Sequence, residues 1–447
     1  MKPHLVIRLR PEAPAVDAPH WSAILTDKAG VSERLEPAVD QLLDRYHIPV
    51  WVTQEYAPSG HGVGNRPSAI PGAPAPALPW SAAEREVGLN RVYRLILQRG
   101  GRIPQSLIEE IRLVPTVEHA HGGRVAGVEL PTTVPVQMGR APGEDSREAI
   151  GLTQAHRYSE GDPEITIAVL DTGIAYRHPE LVDAMAPGMD FVDIIDGAAE
   201  FLGDSIDADE DPDDEVGHGT HVAGIIAGRG LRMPVGVAPH CRVLPVRVLA
   251  AFRQGERRVG AGLVENINAG VKYAVDRGAT VINMSLGVRH AGGGLPHEEV
   301  VQYARRRGAT IVAASGNDGQ EQLYYPGALP GVVAVGAAGH NGAVAPFSTW
   351  GRQVSFLAPG EAVYSSYLED GYASSSGTSH AAPFVAGAFA LLQAYARGRG
   401  RPLSDGQAKH VLKHTADRPG REFKDRKAGY GRLNLGDAMR LLEAKLN

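Results

Sequence analysis

Ile165-Thr166-Ile167-Ala168-Val169-Leu170-Asp171-Thr172-Gly173 runs apolar and β-branched residues without a polar break into a carboxylate and a turn. A short run with no alternation forms a strand buried on both faces, the habit of parallel sheets covered by helices. Working outward, similar runs recur over 242–248, 280–284, 309–314 and 332–336, separated by helical stretches such as 262–275 and 297–307. That alternation predicts an α/β fold with a doubly wound, mostly parallel sheet. Asp171 then lies at the carboxyl end of its strand, the edge where open α/β sheets gather reactive groups. Helices over 404–415 and 435–445 are expected to close the C-terminal end.

Two further segments carry chemistry. His218-Gly219-Thr220-His221 places an imidazole at the start of an apolar helical stretch, flanked by Gly217 and Gly219, where backbone can come close. Gly377-Thr378-Ser379-His380-Ala381-Ala382-Pro383 opens a nearly uncharged helix, with Ser379 in its first turn and Pro383 near enough to the start to be tolerated. A hydroxyl is a weak nucleophile near neutral pH, so Ser379 needs a base, and the base needs a carboxylate to fix its tautomer. His218 and Asp171 suit those roles. Paired histidines also suggest metal, but His218 and His221 lie three apart without the glutamate of a zinc-protease helix.

In the order Asp171, His218, Ser379, these segments resemble the subtilase family of serine peptidases over roughly 145–447, an order unlike that of chymotrypsin or the α/β-hydrolases. The resemblance implies a serine endopeptidase of subtilisin-like α/β fold. Ser315-Gly316-Asn317-Asp318-Gly319 matches the family's oxyanion segment and gives Asn317 the donor role beside the Ser379 N–H. It also implies two backbone edges that hold a peptide or protein substrate as a strand, Gly260-Ala261-Gly262 and Ser285-Leu286-Gly287. Val264 and Leu286 would line a pocket for the fourth residue before the cut. Tyr324, just before Tyr325-Pro326-Gly327, would narrow the pocket for the residue preceding the cut and favour small or medium side chains there. The alternating Asp207, Asp209, Asp211 and Asp213 resemble a structural calcium loop of thermitase-like members, though a solvated acidic loop reads equally well. A second family calcium loop is not matched over 227–237, which lacks its asparagine-rich pattern. The chemistry itself requires no cofactor.

Residues 1–132 read as a separate unit. A strand over 4–9, a helix over 32–46, a strand over 50–55, then a strand over 91–98, a helix over 104–113 and a strand over 116–130 give βαββαβ, a ferredoxin-like α+β order. This resembles the inhibitory pro-domain of subtilases and implies an autoinhibited zymogen whose partner is its own N-terminal domain. An unrelated accessory domain is the alternative. Six prolines within 57–82 predict an extended insertion. Residues 133–147 read as a linker and 148–447 as the peptidase domain, with self-cleavage expected near the proline- and glycine-bearing tether 131–145, between about 130 and 150.

Composition bounds the rest. A net charge of −6 and a pI near 6.3 give no basic footprint for nucleic acid, and charge or glycine interrupts every apolar run short of a membrane span. Cys241 stands alone, so no internal disulfide is expected and the thiol reads as core packing. The first ten residues show no uninterrupted apolar core or cleavage site, so a cytoplasmic location is expected, with export by another route left open. Two other functions compete: a peptide-holding module that does not hydrolyse, and an esterase, which the missing Gly-x-Ser-x-Gly elbow disfavours.

Overall fold

The computed structural model describes residues 3–22, 24, 30–59, 79–129, 134–135, 146–193, 200–202, 208–254, 257–290 and 292–447. In the N-terminal part β1 (His4–Leu9), β2 (Val50–Gln54), β3 (Val92–Leu97) and β4 (Val117–Gly122) form an antiparallel sheet in the order β2-β3-β1-β4. Helices Pro37–Arg45 and Gln105–Arg112 make the crossovers, giving the βαββαβ arrangement. Alternation sorts the two faces. Leu5, Ile7 and Leu9 of β1 and Tyr93, Leu95 and Leu97 of β3 join Val39, Leu43, Leu107 and Ile111 in one apolar core.

Two boundaries differ from expectation for local reasons. The first helix begins at Pro37 rather than 32, because the Glu36 carboxylate is the cap and accepts from the N–H groups of Ala38 and Val39 at 2.9 and 3.0 Å. Ser32 instead closes a small turn on Arg34. The single strand expected over 116–130 is two: β4 stays in the N-terminal sheet and β5 (Val125–Glu129) leaves it. Gly123 makes the parting possible, since a Cβ there would stand 2.7 Å from the His4 ring. The insertion expected over 57–82 lies mostly outside the described residues. Its end is ordered by a reciprocal cap at helix Ala82–Val87, between Ser81 and Glu84.

The remaining strands, in chain order, are β6 (Val134–Pro135), β7 (Thr166–Asp171), β8 (Met189–Asp190), β9 (Glu200–Leu202), β10 (Arg242–Arg247), β11 (Ala250–Gln254), β12 (Arg257–Leu263), β13 (Val281–Met284), β14 (Thr310–Ala314), β15 (Val333–Ala338), β16 (Val354–Pro359), β17 (Val363–Ser366) and β18 (Tyr372–Ser375). Seven of them form a parallel sheet in the order β16-β15-β14-β13-β7-β10-β8. The central strand β7 shows why helices cover both faces. Ile167 and Val169 pack among residues of helices His218–Ala227 and Thr378–Gly398, while Ala168 and Leu170 pack among residues of Val264–Asp276 and Glu298–Arg306. Strand order reverses between β7 and β13, and ligands of open α/β sheets bind outside the carboxyl ends at such a point. Cys241 is buried in the first of these cores, and burial pushes its thiol up to about 12. No helix among the described residues is long and apolar enough to cross a membrane.

Candidate active site

Asp171 ends β7, fully buried, and His218 begins the helix that follows the acidic loop. Their approach depends on Gly219, where a Cβ would fall 2.0 Å from the Gly173 carbonyl. His218 Nδ1 donates to Asp171 Oδ1 at 2.6 Å, and the same oxygen accepts the Thr172 N–H at 2.8 Å. With the proton held on Nδ1, Nε2 is left as the basic nitrogen, and it makes no hydrogen bond among the described residues. Burial opposes a charged imidazole, but the Asp171 charge and hydrogen bond outweigh it, so His218 titrates above its ordinary value.

Ser379 is the second residue of helix Thr378–Gly398. Pro383 lacks the N–H that would bond the Ser379 carbonyl four residues back. The Ser285 hydroxyl takes that carbonyl at 2.7 Å, and Ser379 Oγ donates to the Ser285 carbonyl at 3.1 Å. The backbone and side chain of Ser379 are thus both tied to the segment after β13. Asn317 follows β14. Its Oδ1 accepts from Thr378 N at 2.9 Å and from Thr378 Oγ1 at 3.0 Å. Because a backbone N–H can only donate, the amide orientation is fixed and Nδ2 is the group left to face the cleft.

The structure brings Ser285, Leu286, Gly287, Asn317, Tyr324 and Ser379 to the wall of one cavity of about 230 Å³. The Tyr324 ring lies between two glycines: a Cβ on Gly316 would stand 2.6 Å from it, and one on Gly287 3.2 Å from its Cβ. Gly260, Ala261 and Gly262 lie in β12, and Val264 opens the next helix. Their edge is filled by the chain itself. β5 pairs antiparallel with β12, from Val125 opposite Leu263 to Glu129 opposite Val259. Ala126 is buried in the cluster that holds Val264 and Leu286. Arg124 anchors this strand through Nη1 to the Gly294 carbonyl at 3.2 Å and Nη2 to those of Gly292 and Gly293 at 2.6 Å. Past the cleft, β6 pairs with Ala373 and Ser374 of β18.

Asp207 lies outside the described residues, and Asp209, Asp211 and Asp213 are exposed. Asp209 Oδ1 accepts the Asp211 N–H at 2.8 Å, and Asp211 accepts the Tyr176 hydroxyl at 3.2 Å. Among the described residues no three His, Cys, Asp or Glu side chains are grouped to hold a metal. The residue that sequence reasoning passed over is their even-numbered neighbour. Asp214 is buried and accepts from Thr172 Oγ1, Val216 N, Gly217 N, Thr220 N and Thr220 Oγ1, locking the turn between Asp171 and His218. At the other loop considered for calcium, Glu180 accepts the N–H groups of Gly230, Leu231 and Arg232. A carboxylate so surrounded by donors is the counterpart of that loop. His221 Nε2 faces the carbonyls of Val363 and Ala373, so it carries a proton there and that nitrogen is closed to a metal.

The chain matches the model of the subtilase family over residues 162–431. It is 37% identical over 286 residues to the thermophilic serine proteinase of Bacillus sp. (strain AK1), covering 63% of each chain. It is 36% identical over 273 residues to thermitase of Thermoactinomyces vulgaris, covering 61% of this chain and 87% of that one. Among solved structures it resembles the prenylagaramide maturation protease PagA, with 31% identity, a TM-score of 0.53, and coverage of 65% of this chain and 98% of that one.

Proposed function

Since the chain belongs to the subtilase family, we propose that it is a serine endopeptidase made as an autoinhibited precursor. The observation that carries this reading is the chain's own segment, paired as a strand on β12 before Ser379 and on β18 beyond it. In catalysis Ser379 Oγ turns from the Ser285 carbonyl to His218 Nε2 by rotation about its own Cα–Cβ bond. His218 removes its proton as Oγ attacks the substrate carbonyl, and Asp171 stabilises the imidazolium. Asn317 Nδ2, with the Ser379 N–H, meets the oxyanion. In a subtilisin, loss of such an amide lowers turnover about a hundredfold to a thousandfold. His218 then protonates the leaving amine, and water releases the acyl group by the same route.

The N-terminal domain acts as inhibitor because its trailing strand lies where a substrate strand would. Self-cleavage then falls between Glu129 and Val134, the stretch that passes from one paired edge to the other. We keep calcium out of the mechanism and assign Asp209, Asp211 and Asp213 to a solvated loop, where charge runs usually belong. A fluorophosphonate probe tests the reading. Full-length protein, or its processed form, should be labelled at Ser379 and should hydrolyse peptides, whereas a folded chain that takes no label would be the peptide-holding module, and label without hydrolysis of any peptide would favour the esterase.

A further inference from the structure

The cavity beside Ser379 has a charged wall that no family role above accounts for. Arg289 and Asp318 line it together with Tyr324. Arg289 Nε donates to the Tyr324 hydroxyl at 3.0 Å, its Nη2 donates to Asp318 Oδ2 at 2.9 Å, and the Tyr324 hydroxyl donates to the same carboxylate oxygen at 2.9 Å. The guanidinium also lies 5.4 Å from the Tyr324 ring centroid. The brace is lopsided. The Asp318 side chain is 26% exposed and its Oδ2 already takes two donors, whereas that of Arg289 is 54% exposed and its Nη1 makes no hydrogen bond among the described residues. Guanidinium offers five N–H donors in a planar fork, and most remain available here. An incoming side chain therefore meets a cation with donors to give before it meets the carboxylate.

The chain's own sequence points the same way. If β5 and β6 approach Ser379 from either side, the residue before the cut is one of Glu129, Leu130, Pro131, Thr132 and Thr133. Glu129 is the one charged residue among them, and it holds the last paired position of β5.

We propose that this pocket selects a carboxylate side chain, Asp or Glu, at the residue preceding the cut, with Arg289 as the specificity-determining residue and Tyr324 holding its guanidinium in place. The inference rests on the endopeptidase reading and narrows the small or medium preference that Tyr324 implies.

A peptide series identical except for Glu, Gln, Ala, Lys or Phe before the cut tests it. Wild type should cleave the Glu peptide with kcat/KM at least about tenfold above the Gln peptide, the scale of a hydrogen bond to a charged group. Arg289→Gln should bring that ratio close to one, and Asp318→Asn should raise it by removing the competing carboxylate. Equal rates for Glu and Gln in wild type, or a Glu preference that survives Arg289→Gln, overturns the proposal. The intact mass of the self-cleaved chain gives a reading free of added peptide: a new end directly after Glu129 supports it, and an end elsewhere counts against it. Hydrolysis of the Ala peptide without Glu preference sinks this inference alone. Failure on every peptide despite fluorophosphonate labelling removes the endopeptidase reading and this inference with it.

Discussion

The two large sheets bury their faces differently. The seven-stranded parallel sheet is apolar on both sides, each side packed by its own helices, as Val169 and Leu170 show from opposite faces of β7. The N-terminal sheet is uniformly apolar on one side only, because its second side mixes charge with Val6 and Val92, which join the apolar cluster shared with the peptidase core. Its other side carries Arg8, Arg94, His119 and His121, all largely covered, with Glu55 bonded to Arg94 through two contacts of 2.7 Å. Across the seam stand Glu265, His297 and Glu299 from the peptidase side. His119 Nε2 lies 3.4 Å and Arg8 Nη1 3.7 Å from Glu299, His121 Nδ1 lies 3.7 Å from Glu265, and Lys272 reaches Glu84 at 2.8 Å. Apolar faces belong where water never returns. A mixed face whose charges are closed by matched partners suits the opening that the proposed autoinhibition requires, because its charged groups can be hydrated when apart.

The largest effect expected from that contrast is on cutting itself. Ser379→Ala should reduce peptide hydrolysis by at least about ten-thousandfold and leave the full-length chain uncut, with near-native circular dichroism. A processed chain in that variant would mean another enzyme opens the seam. Asp171→Asn should lower kcat/KM by about a thousandfold or more, as the wrong tautomer is then favoured. His218 must be neutral to act as base, so wild-type activity rises with pH through its raised titration, and the acid limb should lie above the ordinary histidine value of about 6.5. In Asp171→Asn that limb should move down, and an unmoved limb would detach it from His218.

Packing comes next. Leu170→Ala should destabilise the peptidase domain by about 2–5 kcal/mol in denaturant unfolding, while His121→Ala should change N-terminal domain release more than peptidase unfolding. Equal effects on both would erase the distinction between the faces.

Acid should open the seam. Burial pushes His121 and His297 down to about 3, so docking loses stability as pH falls below their ordinary 6.5. Burial alone would raise Glu299, but His119 and Arg8 hold it near 2, so its contribution fades below its ordinary 4.5. Burial raises Glu265 to about 7, and its contribution runs the other way, being lost as pH rises through 7 and constant below 4.5. Glu55 faces Arg94, whose guanidinium stays charged, as does that of Arg124. Below about pH 4.5 only losses remain. Size-exclusion chromatography of the cleaved pair should show release growing from there, and a pair that stays intact to about pH 3 would rule this out. The smallest effect concerns calcium. Chelation should move Tm by less than about 2 °C, and a larger fall would return the loop that begins at Asp207 to the role of ligand.

Legibility followed the same divide. Double burial strips β7 of any period, and that lack is itself the signature that made 165–171 readable. Asp171, His218 and Ser379 were readable because each sits beside glycines or a helix start that the chemistry needs. The bond between Ser285 and Ser379 was not, since it joins backbone and hydroxyls across 94 positions and no residue pattern marks it. Asp214 was hidden by parity: the alternating Asp207 to Asp213 drew attention to the exposed side of the loop, while the even residue turned inward. The split between β4 and β5 is marked by Gly122-Gly123-Arg124, but glycine inside a strand pattern also signals a bulge, so the change of sheet was not legible.

One consequence follows from the β5 strand and the single chain it belongs to. While the chain is whole, the strand competes for the cleft at a local concentration fixed by its tether, of order millimolar for short connections, and no dilution lowers it. Once the backbone is cut, the same strand becomes a separate solute at whatever concentration the solution has. On the proposed autoinhibition, silence before the cut is independent of how much protein is present, and activity afterwards depends on volume: the enzyme should wake on dilution.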